Sequence, residues 1–446
     1  MEQPQSTIRS LKTNMKVVFL TAGAAGMYCG SCMHDNALAR TLIADGYDCL
    51  LQPIYTPIRT DSISVASEKI FFGGIHVYLL QQMPWLRFVP QSARRFLDWP
   101  PLIRVATRKA ASTDPAKLGD LAISMLQGTD GRQSEEVIRL VDWLENKIQP
   151  DVLILSNLLI GGSLPLVHRR LPETQVIVML QGDDIFLDHL PTEARAEAIA
   201  LCSKLVSSVD RFVVNSRFYA DRMGTLLNIP PEKLFQTPLS IDAAAYSASL
   251  TSVPDRSHGK TKTFRIGYLA RISPEKGLHR LVDAFLHLAN EHHDVTLEVA
   301  GWLGEVNRPY LKTIQTRVRE AGLEDRFTYH GSPELAEKVA FLQSLDLLSV
   351  PTEYEDPKGL FALEAMASGV PVVLPDHGGF SELIASTGGG ILVPPNDHHA
   401  LAEAILRLKN DPLLRKELSK NGHRSVHEKH SIENASRALA TLFAQS

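Results

Sequence analysis

The sequence predicts an α/β protein made of two doubly wound, parallel-sheet domains, and three observations carry that expectation. Short continuous apolar runs alternate with helical stripes through the first two-fifths of the chain. The same alternation resumes after Thr263. Between the two series, Ala243 to Thr263 is rich in Ser, Thr, Pro, Asp, Gly and Lys with almost no apolar pattern, and reads as a linker. Repeated strand–helix alternation implies open parallel sheets covered by helices on both faces.

The elements follow in chain order. Met1 to Asn14 is polar, lacks the apolar core of a secretory signal and reads as a loose extension, with Met15 an alternative start. Met15 to Thr21 (MKVVFLT) is a buried strand running into a glycine-rich loop, and Asn36 to Ala44 continues a helix. Asp48 to Pro53 is a second strand; Phe71 to Leu80 makes another, weakened by Gly73 and Gly74. Val137, Leu140, Val141, Leu144 and Ile148 recur at helical spacing and should form one apolar stripe. Asp151 to Ser156, Gln175 to Leu180 and Arg211 to Asn215 are runs of the kind that parallel strands bury. The second series runs through Thr263 to Tyr268, Thr296 to Ala300, Phe327 to His330, Leu345 to Val350, Val370 to Leu374 and Gly390 to Val393. The expected domains are 1–250 and 264–429, with a linker at 251–263 and a last helix within 430–446. Sites in such sheets lie at the C-terminal strand ends, and ligands favour domain interfaces, so function is expected in a cleft between the two.

Composition narrows the classes. The 446 residues are 44% hydrophobic and 22% charged, ordinary for a globular protein. A net charge of -4 gives no reason to expect nucleic acid as a partner. No apolar stretch approaches bilayer length. Four cysteines in so long a chain argue against a disulfide scaffold and fit a reducing cytoplasm. No His/Asp cluster suggests a metal.

The most informative segment is Val350 to Val373. An apolar run stops at Pro351, a loop carries Glu353, Glu355 and Asp356, and Lys358-Gly359 opens a helix that contains Glu364. A helix N-terminus favours phosphate, while carboxylates beside it accept hydrogen bonds from sugar hydroxyls. The combination points to a ligand that is part phosphate and part carbohydrate. This segment resembles the acidic-x7-Glu signature of retaining glycosyltransferases of family four, within the group-1 glycosyl transferases, which have the GT-B fold. The resemblance implies that Asp356 contacts the donor sugar and Glu364 the ribose, with Lys358, Gly359, Leu360 and Phe361 lining the donor site. The family usually has Glu where this chain has Asp356; Glu355 could substitute only by shifting register by one residue. Base contacts in such folds are largely backbone, here near Gly331 and Ser332. The final helix, around Ile432 to Phe443, would cross back onto the first domain as it does in the family.

Gly267-Tyr-Leu-Ala-Arg271 followed by Ser273-Pro-Glu-Lys276-Gly277 is the second motif. Ser273 reads as an N-cap with Pro274 in the first helical position. Leu278, Leu281, Val282, Phe285 and Leu288 then face a core. A cation in a first helical turn is disfavoured unless an anion is near; otherwise Arg271 and Lys276 are surface cations on an ordinary helix. With the acidic motif about eighty residues later at the family's spacing, phosphate binding is favoured. In the family the same pair holds the donor diphosphate, acting on charge that grows as the glycosidic bond breaks.

The loop Thr21-Ala-Gly23-Ala-Ala-Gly26-Met-Tyr-Cys29-Gly30-Ser-Cys32 resembles the family's N-terminal glycine loop, with Gly26 and Gly30 allowing backbone to approach a ligand. It lacks the G-x-G-x-x-G spacing, and the second strand ends at Leu51-Gln52-Pro53 with no acidic residue, both against a dehydrogenase. Cys29 and Cys32 form a C-x-x-C read as two small side chains in a tight loop rather than a redox pair. His34 could face the cleft or be a partly exposed structural histidine. The family commonly has His where Gln181 sits; Gln can bond a sugar but cannot titrate. Asp183 or Asp184 would contact acceptor or sugar, or cap the next helix. Gly378-Gly379-Phe-Ser-Glu382 resembles a structural loop near the donor. Gln82 to Ala111 mixes Trp85, Phe88, Phe96 and Trp99 with Arg87, Arg94, Arg95, Arg104, Arg108 and Lys109. It suits an anionic membrane surface, an acceptor lid, a subunit contact or an ordinary amphipathic insertion.

The resemblance, from Met15 onward, implies a metal-independent transferase. It moves a sugar with retention from a UDP-, GDP- or ADP-sugar to a hydroxyl acceptor that is a glycan, a lipid or a small molecule. It needs no cofactor and would work in the cytoplasm, with peripheral contact to the inner membrane face one option. Two rivals stand beside it: a GT-B nucleotide-sugar 2-epimerase and a non-catalytic sugar-nucleotide binder. Nothing in the sequence sets an oligomeric state.

Overall fold

The computed structural model describes residues 15–23, 30–58, 60, 63–67, 115–246 and 263–443. Met1 to Asn14, Gly26, Cys29, Phe71 to Leu80, Gln82 to Ala111 and the 251–263 linker up to residue 262 therefore lie outside the described residues.

The chain divides into two compact units. The first comprises Met1–Val214, Tyr219–Thr237 and Ser436–Ser446, and the second Asn215–Phe218 and Pro238–Ala435. Each is organised on a six-stranded sheet whose paired strands are all parallel.

In the first unit the strands are β1 (Lys16–Thr21), β2 (Asp48–Pro53), β3 (Val152–Leu155), β4 (Gln175–Met179), β5 (Arg211–Val214) and β6 (Leu234–Gln236), in the order β2-β1-β3-β4-β5-β6. Val, Ile and Leu fill β3, and Val, Ile and Met the buried part of β4, as parallel strands covered on both faces require. The edge strand β6 has no sequence signal, because its Leu-Phe-Gln run is half exposed. The helical stripe is present: Val137, Leu140, Val141 and Leu144 are buried, while Ile148 is only half-buried. The reason is local, since the helix Ser134–Trp143 passes into a π-helical turn over Leu144–Ile148 that shifts the periodicity. The last helix, Ile432–Phe443, brings Phe443 edge-on to Tyr47 at 5.7 Å, and the carbonyl of Leu442 accepts from Gln175 Nε2 at 3.1 Å.

In the second unit the strands are β7 (Phe264–Leu269), β8 (Val295–Ala300), β9 (Phe327–Tyr329), β10 (Leu347–Ser349), β11 (Val372–Pro375) and β12 (Gly390–Val393), in the order β12-β11-β10-β7-β8-β9. The chain winds outward from β7 through β8 to β9, then returns to β10 on the other side. Strand order thus reverses between β7 and β10, the place where open α/β sheets bind ligands.

Two expectations are corrected here. Ser273 and Pro274 do open a helical turn, but it is a short 3-10 one over Pro274–Lys276 with no side-chain cap; Gly277 follows at φ 72°, and the α-helix is Leu278–Ala289. The left-handed glycine breaks the run, so Lys276 sits ahead of the helix rather than in its first turn. Residues Ala243–Tyr246, read as the start of a linker, form a 3-10 turn whose Tyr246 is buried in the core of the second unit.

Candidate functional site

The loops after β7 and β10 are laced together. A Cβ on Gly277 would lie 1.8 Å from the carbonyl oxygen of Pro351, so only glycine permits this approach. The amide of Glu353 also donates to the carbonyl of Glu275 at 3.0 Å. Lys276 is thereby set beside the acidic loop.

Lys276 Nζ lies 2.8 Å from Asp356 Oδ2, and both side chains are largely buried. Nζ also donates to the hydroxyl of Tyr354, which in turn donates to Asp356 Oδ2 at 3.0 Å. The other oxygen, Oδ1, accepts the amides of Lys358 at 3.0 Å and Gly359 at 3.2 Å. Burial alone would raise the Asp356 carboxyl, but the Lys276 charge and these hydrogen bonds outweigh it and bring it down to about 2. Burial and the charge of Asp356 push the Tyr354 phenol up, so it remains a donor. The amides offered in the sequence to a phosphate are thus taken by a carboxylate. Buried N–H groups at a helix start need an acceptor, and Asp356 supplies it. Gly378 and Gly379 close behind: a Cβ on Gly378 would meet Asp356 O at 2.6 Å, and the amide of Gly379 donates to that oxygen at 2.9 Å.

The helix Leu360–Ala367 begins after Gly359 in the left-handed region and ends at Gly369, φ 75°. Its sequence, LFALEAMA, favours helix and is apolar except for Glu364. A lone carboxylate on a buried helix needs a counter-charge. Lys338, 7% exposed on the helix Leu335–Gln343, provides it with Nζ 2.7 Å from Glu364 Oε1. Tyr246 donates its hydroxyl to the same oxygen at 2.8 Å, and Lys338 Nζ lies 5.6 Å from that ring's centroid. Both hydrogen bonds to the Glu364 side chain end on Oε1. The site therefore holds two clusters of one pattern, Lys276–Asp356–Tyr354 and Lys338–Glu364–Tyr246.

Arg271 stands apart. Its side chain is 47% exposed, and its ion pair with Glu275 is long, 3.7 Å. Phe361 is buried against Phe380, with Lys276 Nζ 5.9 Å from its ring centroid. Leu360 and Lys358 are half-buried, and Ser332 is exposed after β9. Next to Ser332, Gly331 accepts the amide of Gly301 at 2.7 Å.

In the first unit the helix expected to continue through Asn36 to Ala44 spans Gly30–Ala44. His34 is buried rather than partly exposed, and Cys32 is buried in the same helix with Sγ 3.8 Å from Thr21 Oγ1. Gln181 Nε2 donates to Asp35 Oδ1 at 2.9 Å and to the carbonyl of Ser156 at 3.1 Å. Asp183 accepts the amides of Leu158 at 2.7 Å and Gln181 at 3.0 Å, one on each oxygen. Burial pushes its carboxyl up to about 6 despite those amides. Asp184 binds Tyr219 and Arg222. Neither acid caps the helix Asp183–Asp188: Asp183 ties Leu158 to Gln181, and Asp184 holds two side chains of the helix Arg217–Leu227. Asp35, Tyr246, Lys338 and Tyr354 escaped the sequence reading; of these only Tyr354 lies inside a quoted motif.

Among the described residues, no His, Cys, Asp and Glu side chains gather as a metal site requires. Nor is any described helix long and apolar enough to cross a membrane.

Residues 254–425 match the family model described as "Glycosyl transferases group 1". The lipopolysaccharide core biosynthesis mannosyltransferase LpsB of Rhizobium meliloti is 32% identical over 182 residues, 40% of this chain and 50% of that protein. The corresponding LpcC of Rhizobium leguminosarum is 28% identical over 54% of this chain and 65% of its own length. The 2-deoxystreptamine glucosyltransferase of Streptomyces kanamyceticus is 33% identical over 33% of this chain and 36% of its own. The chain thus spans about half the length of these curated relatives. Among solved structures, Anabaena Alr3699/HepE in complex with UDP superposes with a TM-score of 0.68 at 17% identity, covering 97% of this chain and 100% of that one. Sucrose-phosphate synthase from Thermosynechococcus elongatus gives 0.70 at 17% identity over 97% and 99%. These likenesses establish the fold as the two-sheet α/β architecture of GT-B glycosyltransferases.

Proposed function

We propose that the protein is a retaining glycosyltransferase that moves a sugar from a nucleotide-diphosphate sugar to a hydroxyl acceptor without a catalytic metal. The observation that carries this reading is the buried Lys276–Asp356 pair, with Arg271 and Glu364 on the same loops and following helix, where the strand order of the second sheet reverses. The family match over 254–425 and the UDP complex of the Anabaena protein support it.

Arg271 and Lys276 hold the diphosphate. Exposed Arg271 meets it first, and Lys276 shares its charge between Asp356 and the leaving phosphate. As the bond from the anomeric carbon to the phosphate oxygen breaks, that oxygen gains negative charge, which both cations stabilise. The acceptor hydroxyl forms the new bond to the anomeric carbon on the same face of the sugar and passes its proton to the departing diphosphate oxygen, giving retention. Glu364 accepts from the ribose, Ser332 lies by the base, and Lys358, Gly359, Leu360 and Phe361 line the donor. Asp356 orders the loop and contacts the sugar at its edge. The thiols of Cys32, Cys49 and Cys202 suit a reducing cytoplasm, where we place the reaction.

A thermal-shift screen against UDP-, GDP-, ADP- and TDP-sugars tests donor binding, since a ligand at a hundred times its Kd adds about 2.7 kcal/mol. An NMR assay of the product anomer then tests retention. Inversion, or no shift with any donor, overturns the reading. A second reading, a non-catalytic binder, is favoured by the engagement of both Asp356 oxygens inside the protein. Donor binding with neither transfer nor donor hydrolysis across a broad acceptor panel would decide for it.

A further inference from the structure

We infer that Lys338 and Tyr246 are positioning residues for Glu364: they fix its Oε1 and so present Oε2 to a ligand hydroxyl. This rests on the proposed reading of Glu364 as the ribose contact. Glu364 is half-buried on an apolar helix, and a glutamate side chain there has rotamers to choose among. Two donors from separate elements, the helix Leu335–Gln343 and the turn Ala243–Tyr246, converge on a single oxygen at 2.7 and 2.8 Å. Burial, with the charge of Glu364 adding to it, pushes the Tyr246 phenol well up, which keeps the hydroxyl a donor. With Oε1 satisfied, the carboxylate is locked in rotation and its remaining acceptor points one way. Preorganisation of this kind makes a hydrogen bond to a charged acceptor selective for the hydroxyl it meets.

The role predicts a property that mere packing would not produce. Loss of Lys338 should remove discrimination between a ribose and a 2′-deoxyribose, rather than weaken all nucleotide binding alike. The test measures Kd by calorimetry for UDP, GDP and ADP and their 2′-deoxy counterparts, on wild type, Glu364→Gln, Lys338→Met, Lys338→Arg and Tyr246→Phe. Wild type should prefer the ribonucleotide by about tenfold or more, the scale of a hydrogen bond to a charged group. Glu364→Gln and Lys338→Met should each bring the ratio close to one. Lys338→Arg should restore most of it, and Tyr246→Phe should lower it severalfold while binding of pyrophosphate stays unchanged. If Lys338→Met and Tyr246→Phe keep the wild-type ratio while Glu364→Gln loses it, positioning is wrong and the ribose contact survives. If wild type and Glu364→Gln show no preference, the ribose contact itself fails. Should Lys338→Met not fold, Tyr246→Phe, which removes one hydroxyl, decides alone: an unchanged ratio overturns the inference.

Discussion

Asp183 in the first unit and Asp356 in the second are alike in most respects. They are 2% and 6% exposed, each follows a parallel strand, and each takes two backbone amides. Yet one carboxyl lies near 6 and the other near 2. Backbone amides alone do not offset burial; a lysine 2.8 Å away does. A buried acid held by amides only keeps its proton more readily, whereas one beside a cation belongs to a charged cluster. The second unit has two such clusters built on lysine, and the first unit one built on arginine, where Arg222 and Tyr219 hold the buried Asp184.

Removing the cation should give the largest effect. Lys276→Ala is expected to lower turnover by about two to three orders of magnitude, as for loss of a transition-state charge donor. It should also destabilise the fold by about 3–5 kcal/mol, because Asp356 is left buried without its counter-charge. Arg271→Ala should cost similar turnover but leave stability within about 0.5 kcal/mol, since its side chain is exposed. Steady-state rates on the best donor and urea unfolding measure both; equal stability losses in the two variants would erase the contrast between paired and exposed cations.

The pH dependence of stability sharpens the same comparison. Asp356 lies below its ordinary 3.8, so its contribution of about 2 kcal/mol is present above about pH 4 and fades as pH falls toward 2. Asp183 lies above 3.8, so its protonated form is favoured in the fold. Stability from this group is full below about pH 4 and is lost, by about 3 kcal/mol, as pH rises through 6. Urea titrations at a series of pH values should show Asp183→Asn flattening the limb between about 4 and 6, and Asp356→Asn the limb below 4. An unchanged slope in either variant sinks that assignment.

The smallest expected effect separates two left-handed glycines. Gly331→Ala has φ 72° and open space around it, so it should cost about 1–2 kcal/mol. Gly277→Ala has the same φ and the Pro351 carbonyl in the way, and should cost clearly more. Equal losses by chemical denaturation would mean the close approach contributes nothing.

Much of this was legible in the sequence, for identifiable reasons. Buried parallel strands leave continuous apolar runs, so β2 and β12 were bounded to the residue and nine other strands, β1, β3 to β5 and β7 to β11, to within a residue or two. The edge strand β6 leaves no such run. Arg271, Lys276, Asp356 and Glu364 were legible because each lies in a local motif. Lys338 was not, because its partner is 26 residues away and nothing in the intervening spacing marks the pair. Tyr246 was hidden by the patternless stretch it begins. The turn at Pro274–Lys276 had a signal, Gly277, which a helix-start reading of Ser-Pro passed over.

The threading of Gly277 beneath Pro351 has one more consequence. The basic turn and the acidic loop are a single mechanical part, so neither can be transplanted alone. A chimera that imports only the Glu353–Gly359 stretch into a related scaffold would arrive without the seat it was shaped against. Exchanging both stretches together should carry the whole arrangement across intact.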